Sequence, residues 1–373
     1  MAFGKKNVIN LNPLAYNLML LGESKCGKTT LIKQVCEKLA GDDGYLFLEI
    51  GQERGADAIS GINFINCPEW SMDYDELSNS AGFIDVVNDI IENKTTEYKK
   101  LQVLIWDTYD QLINIAEAES IRLWNKECKQ NGHPEKATKS INAAWGGYGK
   151  GEKKAIELML GAMASLRAVG VSTIVIGHCK TKDVSDVVSG ETYQVLTSDQ
   201  QQNYFNAIKK NLHFLGLAYI DRTIVKNKSG NKISGETRRI KFRDDNYAVD
   251  SGSRFADIVS EVEMTPDAFI SAITDAIKSE QAKSGVDIKT AEKNQKALEK
   301  AQNEKVKENE AKSKEDAERN KVIAYVVSFF QANKTNIDVI KPVLAAIKEM
   351  GYSNPTEIQT LAEAKKIGKL IAD

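Results

Sequence analysis

Gly22-Glu23-Ser24-Lys25-Cys26-Gly27-Lys28-Thr29 carries the pattern Gly-x-x-x-x-Gly-Lys-[Ser/Thr], and its surroundings decide the fold. An apolar run, Tyr16-Asn17-Leu18-Met19-Leu20-Leu21, leads into it. The stretch from Thr30 to Ala40 follows with helical spacing and stops at Gly41, a fitting C-terminal cap. Strand, glycine loop and helix in this order make a phosphate cradle. Glycines let backbone N–H groups turn inward, and the new helix adds its positive dipole end. Lys28 can then reach β/γ oxygens, while the Thr29 hydroxyl can ligate Mg²⁺. Gly22 through Thr30 are therefore the predicted nucleotide-binding residues, with ATP and Mg²⁺ as ligands. An ordinary turn would match this pattern by accident only about 0.01 times in such a chain.

A chain of 373 residues can bury a large core and still hold a second unit. Its formal net charge of −2 gives no global basic field, so any DNA contact must come from local patches. The five cysteines, Cys26, Cys36, Cys67, Cys128 and Cys179, are scattered without metal-ligand spacing. They read as reduced buried thiols of a cytosolic protein. Cys26 stands apart by position, since a thiol inside the phosphate loop would make the site sensitive to thiol reagents. No signal peptide or apolar run of membrane-spanning length is evident, which predicts a soluble, cytoplasmic chain with no membrane partner.

Residues 1–275 alternate short apolar runs with amphipathic stretches, the pattern of an α/β fold with a central, mostly parallel sheet. Predicted strands are 16–21, 45–50, 101–106 and 171–176, each nearly all apolar, as strands covered on both faces should be. Predicted helices lie at 28–40, 83–92, 110–129 and 152–168. Segments 214–225 and 238–249 read as antiparallel strands joined by the turn Lys228-Ser229-Gly230-Asn231. Composition then shifts: 276–321 is rich in Lys, Glu, Ala, Asn and Gln. Helix propensity is high there, but apolar positions are too sparse for a coiled-coil seam. The expectation is a solvated helical or partly disordered linker. Apolar and aromatic residues return at Val322, and 322–373 reads as a small helical domain.

Hydrolysis needs a metal holder, a water-activating base and a γ-phosphate sensor. The strand 101–106 runs into Asp107-Thr108, making Asp107 the candidate metal holder beside Thr29. For the base, Glu49 ends the second strand and Glu53 follows in the loop Gly51-Gln52-Glu53-Arg54-Gly55. Glu53 is preferred because Gly51 and Gly55 suit close approach of backbone to ligand. The fourth strand ends in Gly177-His178, which makes His178 the candidate sensor; His133 and His213 lack such a context. In Arg238-Arg239-Ile240-Lys241-Phe242-Arg243, alternation puts Arg239, Lys241 and Arg243 on one strand face. That row reads either as a solvated face or as trans-acting fingers, Lys241 and Arg243, reaching a neighbouring subunit's γ-phosphate.

Taken together, these residues resemble the RecA-type ATPases encoded by phages, a group that includes RecA-like single-strand annealing proteins. The resemblance spans roughly residues 10–260 and rests on Gly22–Thr29, Glu49 or Glu53, Asp107-Thr108, Trp145-Gly146-Gly147-Tyr148-Gly149 and His178. Asp221-Arg222, residues 238–243 and Ser253-Arg254-Phe255 are also similar. The family tends to place Asp-x-Glu after the second strand, where this chain has Glu49-Ile50-Gly51 and then Glu53. The resemblance implies a RecA-like P-loop core and a ring or filament with active sites between subunits. It also implies an ATPase stimulated by single-stranded DNA, acting in recombination or annealing. DNA would meet two loops, about 130–151 and 180–203. The first mixes Lys136, Lys139, Trp145, Tyr148, Lys150, Lys153 and Lys154, which suits base stacking beside phosphate contacts; the same loop could equally be a flexible one with packed aromatics. The alternatives are a helicase-loading or other motor-type ATPase, and a nucleotide-gated module that recruits a protein through its C-terminal bundle.

Overall fold

A computed structural model describes residues 8–186, 189–227, 230–243, 249–334 and 336–372, with backbone alone for 223–227, 230–234 and 372. The first unit, Met1–Gln302, opens with β1 (Leu18–Gly22), α1 (Lys28–Ala40), β2 (Tyr45–Ile50), β3 (Phe64–Cys67) and α2 (Phe83–Glu92). Then come β4 (Val103–Asp107), α3 (Tyr109–Gln130), α4 (Lys150–Ala168), β5 (Ser172–Ser185) and β6 (Thr192–Ser198). The unit continues with α5 (Gln202–Lys209), β7 (Phe214–Asn227), β8 (Gly230–Lys241), β9 (Gly252–Ser253), β10 (Glu261–Glu263) and α6 (Pro266–Lys283). The helix α7 (Ile288–Ala332) begins in this unit.

The sheet runs β10-β8-β7-β1-β5-β4-β2-β3. Its pairings from β7 to β3 are parallel, while β8, β9 and β10 pair antiparallel at one side. This is the expected α/β architecture, a P-loop NTPase core, and the strand order has a consequence for the site. β5 lies between β1 and β4, so Gly22 pairs with His178 and Asp107 with both Ile176 and Glu49. Loop, sensor candidate, metal-holder candidate and base candidate thus share the carboxyl edge of one parallel sheet, where ligands of open α/β sheets bind.

Strict alternation of buried side chains along the strands makes two cores. Leu20, Phe47, Ile105, Ile174 and Ala218 meet α1 and α6 on one face. Met19, Leu48, Trp106, Val175 and Leu217 meet α2, α3, α4 and α5 on the other. Both faces being covered explains the unbroken apolar runs. The junction between β1 and β7 is tight at Gly22, where a Cβ would sit 2.8 Å from the Ala218 carbonyl oxygen.

Several elements depart from the sequence reading. β3 extends the parallel sheet by a strand of only four residues, too short to stand out in the sequence. β5 continues well past 176: beyond His178 it leaves the parallel sheet and pairs antiparallel with β6, from Cys179↔Ser198 to Ser185↔Thr192. The second predicted antiparallel strand starts earlier and ends sooner, as β8, at Lys241; residues 244–248 of that prediction lie outside the described residues. So do Lys228 and Ser229 of the predicted turn.

The second unit comprises Asn303–Asp373, so the division falls inside the charged stretch 276–321. It contains the later part of α7, then α8 (Ile337–Glu349) and α9 (Leu361–Ala372). Ile323, Val326, Val343, Ile347, Ile358, Ala364 and Ile367 form its own small core. Among the described residues no helix is long and apolar enough to cross a membrane.

Candidate active site

The phosphate loop turns on Lys25 (φ 61°) and Gly27 (φ 99°), both left-handed. Gly27 caps α1 without a side-chain hydrogen bond, so the first-turn amides have no side-chain acceptor at the cap. Such amides attract anions. Lys28 is buried, and its Nζ donates to the Gly22 and Glu23 carbonyls at 3.1 and 2.8 Å, inside the curve of the loop. Cys26 is 1% exposed, and burial pushes its thiol pKa up. The loop thiol is therefore shielded and protonated, which argues against the expected sensitivity to thiol reagents.

Thr29 Oγ1 donates to Asp107 Oδ2 at 2.7 Å. The Asp107 carboxyl is raised to about 6, chiefly by burial and also by the Glu53 charge, against the Thr29 bond and the Lys28 and His178 charges. A hydroxyl and a desolvated carboxylate side by side form an all-oxygen donor pair, which suits Mg²⁺. A dication there would supply the positive charge that burial denies Asp107.

The two candidate bases differ in surroundings. Glu49 is 3% exposed, and its Oε1 accepts from the Ala56 amide at 2.7 Å, tying down the loop after β2. Its Oε2 has no hydrogen-bond partner, and burial raises its pKa. Glu53 is half-buried and close enough for Asp107 to feel its charge.

His178 Nδ1 donates to Asp110 Oδ2 at 2.6 Å, a bond that raises the imidazole pKa. Asp110 lies in the first turn of α3, just past Asp107, and the sequence reading missed it. Gln200 Nε2 donates to Asp110 Oδ1 at 2.8 Å and to Asp199 Oδ1 at 3.0 Å. Burial and the Asp110 charge raise the Asp199 pKa. Ligand atoms of Asp110, His178 and Asp199 all lie within 4.8 Å of one another. The Gln200 amide and the imidazole N–H already occupy these oxygens, so the group is a hydrogen-bonded relay from the sensor candidate to the start of α5.

Cations gather on the other flank of the loop. Arg222 Nη2 meets Glu23 Oε2 at 3.3 Å and its Nε meets Glu236 Oε1 at 3.6 Å. Arg238 Nη1 stands 3.2 Å from the place a Cβ of Gly27 would take. Arg239 pairs with Glu261 at 2.8 Å, and Lys241 lies 5.9 Å over the Tyr219 ring. Arg243 donates to the Ala256 carbonyl at 3.3 Å. Alternation along β8 separates Arg238, on the face of buried Ile240, from Arg239 and Lys241.

Away from the loop, Trp145 packs on Trp124 with centroids 5.6 Å apart, and its indole N–H donates to the Ser120 carbonyl at 3.1 Å. Trp145, Gly146, Gly147, Tyr148 and Gly149 all have positive φ, between 55° and 81°. This run pins Trp145 against α3 and leaves Tyr148 99% exposed. Lys136, Lys139 and Lys150 are exposed in the same segment. The second predicted DNA loop, 180–203, holds the β5–β6 hairpin; its Val187 and Val188 lie outside the described residues. A cavity of about 990 Å³ lies elsewhere, lined by Tyr45, Phe64, Tyr74, Tyr98 and Lys100 and by no residue of the phosphate loop.

Residues 14–255 match the AAA domain family, and the chain belongs to it. No curated protein matches the chain. The match covers loop, Asp107, His178 and the β7–β8 flank together, so the chain is a nucleotide-binding P-loop ATPase in the general sense of that family.

Proposed function

We propose that this chain is a RecA-like ATPase that works on single-stranded DNA, in annealing or recombination, as an assembly with ATP sites between neighbouring copies. Lys28 and the amides of residues 24–29 bind the phosphates. Thr29 and Asp107 would hold Mg²⁺, which supplies charge neutralisation at the developing leaving oxygens. Glu53, beside Asp107, orients and deprotonates the attacking water; Glu49 fixes the loop that carries it. His178 registers the γ-phosphate and passes its presence through Asp110 and Gln200 toward the β5–β6 hairpin. Lys241 and Arg243 complete the site of the next copy.

The observation that carries the DNA reading is Tyr148, held fully exposed on a left-handed run among Lys136, Lys139 and Lys150. Positive φ at a tyrosine is costly, and such strain is retained where it serves binding. An exposed ring beside lysines suits a base and its phosphate. The test is steady-state ATP hydrolysis with and without single-stranded DNA across a salt series. Several-fold stimulation that fades steeply with salt supports the reading. Turnover indifferent to DNA sinks it. Mixtures of Arg243→Ala and Asp107→Asn chains should recover part of the lost turnover, as a shared site requires.

A second reading keeps the nucleotide chemistry and makes the chain a nucleotide-gated recruiter of a protein partner. The separate unit Asn303–Asp373, with its own core, favours it. Turnover stimulated by a partner, but not by DNA, would select it.

A further inference from the structure

We infer that Arg238 binds the α/β-phosphates of a nucleotide held by its own chain; the inference rests on the nucleotide-binding reading above. β8 alternates its side chains, and Ile240 faces the core beneath α1. Arg238 is the next residue on that face, where the core gives way to the phosphate loop. Its Nη1 stands 3.2 Å from the position of a Gly27 Cβ, so the guanidinium fills the space that glycine leaves open. Burial and Lys28 act on the Cys26 thiol more strongly, but the Arg238 charge reaches it as well. Gly27 directly precedes Lys28, in the segment whose amides cradle the α- and β-phosphates.

Neighbouring cations are neutralised within the chain: Arg222 by Glu23 and Glu236, Arg239 by Glu261. Among the described residues no carboxylate pairs with Arg238. Its backbone is fixed on both sides, by pairing with Ile220 of β7 and by the Met264 amide donating to its carbonyl at 2.9 Å. A guanidinium carried on a sheet-held backbone, with no carboxylate of its own and beside uncapped helix amides, is matched by a phosphate, whose oxygens its planar fork fits. This role differs from that of Lys241 and Arg243. It operates within one chain and does not depend on the γ-phosphate.

The test is calorimetric titration of MgADP and of a non-hydrolysable MgATP analogue into the full chain. Wild type, Arg238→Gln, Arg238→Lys and Lys28→Ala are compared between about 50 and 300 mM KCl, concentrations of the order of those that screen exposed charges. Arg238→Gln should weaken both nucleotides alike, by about tenfold, and should make the salt dependence shallower. Arg238→Lys should lie between wild type and Arg238→Gln, because a point charge replaces the fork. Wild-type affinity in Arg238→Gln overturns the inference. So does weakened binding with an unchanged salt dependence, which marks a brace that only shapes the loop. Loss of binding in Lys28→Ala alongside normal Arg238→Gln rejects Arg238 while the nucleotide reading stands. A wild-type chain that gives no heat refutes that reading, and Arg238 with it.

Discussion

Replacing Asp107 with asparagine isolates the cost of placing an acid at the end of β4. The side chain is 5% exposed, and its carboxyl titrates near 6 in the folded chain against a usual 3.8. Between those values the unfolded chain gives up a proton that the folded chain keeps. Unfolding then releases protons, so stability falls as pH rises. The loss is complete once pH passes about 6. Roughly two units at 1.36 kcal/mol each give about 3 kcal/mol, an order-of-magnitude figure. The asparagine amide keeps the shape and can still accept from Thr29, yet never ionises.

The stability gap between Asp107→Asn and wild type should therefore be small near pH 4 and widen to about 3 kcal/mol by pH 7. Denaturant unfolding at several pH values reads it directly, and subtracting the two curves cancels most other titrating groups. All four tryptophans, Trp70, Trp106, Trp124 and Trp145, lie in the first unit, so their fluorescence follows that unit. Mg²⁺ with nucleotide should stabilise wild type at pH 7 more than the variant, which keeps Lys28 and the loop amides but lacks the carboxylate that would face the cation. A gap independent of pH would refute the reasoning. It would mean that Asp107 is ionised at no cost, and so gains nothing electrostatic from a cation.

Gly22→Ala should destabilise the first unit by roughly 1–3 kcal/mol in denaturant unfolding, because its Cβ would press on the Ala218 carbonyl at 2.8 Å. Asp110→Asn should lower the His178 pKa toward its ordinary value, as read from imidazole NMR, since the Asp110 bond is the main cause of its rise. The pair's stability contribution is present below the unfolded histidine value and lost as pH climbs through the raised folded one. Destabilisation by Asp110→Asn should accordingly shrink above about pH 6.5. Tyr148→Ala should weaken single-stranded DNA binding about tenfold in fluorescence anisotropy, without loss of stability, because the ring is exposed and its left-handed strain is no worse for alanine.

What could be read in advance followed from how many physical demands each segment satisfied at once. The loop Gly22–Thr29 is local: its turn, amides, lysine and hydroxyl are contiguous, so the chemistry is written in one line. Asp107 and His178 were legible because an apolar strand running into a polar residue marks the carboxyl edge of a parallel sheet. Asp110 and Gln200 were not, since their partnership with His178 is set by strand order and by the path of the chain into α5. Neither position looks unusual in its own segment. β3 and β6 escaped for a related reason: a strand of four residues and a mostly polar one are defined by the partner they pair with, and sequence alternation alone cannot name that partner.

Arg238 shows most clearly where reading from the chain alone stops. In the run Arg238-Arg239-Ile240-Lys241-Phe242-Arg243 the period of two correctly divides the cations into faces, but it does not say which face meets the phosphate loop. That is decided by β7 lying beside β1, which carries β8's Ile240 face onto the α1 side. Three cations on the opposite face drew attention because they were numerous. The single arginine sharing a face with Ile240 and Phe242 is inconspicuous in the sequence, because the other residues of that face are apolar. Yet a lone cation bordering an apolar surface at the end of a core is the one with fewest carboxylates at hand, and so the one most available to an anionic ligand. The same reasoning applies to other strands next to a phosphate loop: the cation that matters is the one sharing a face with the core residues.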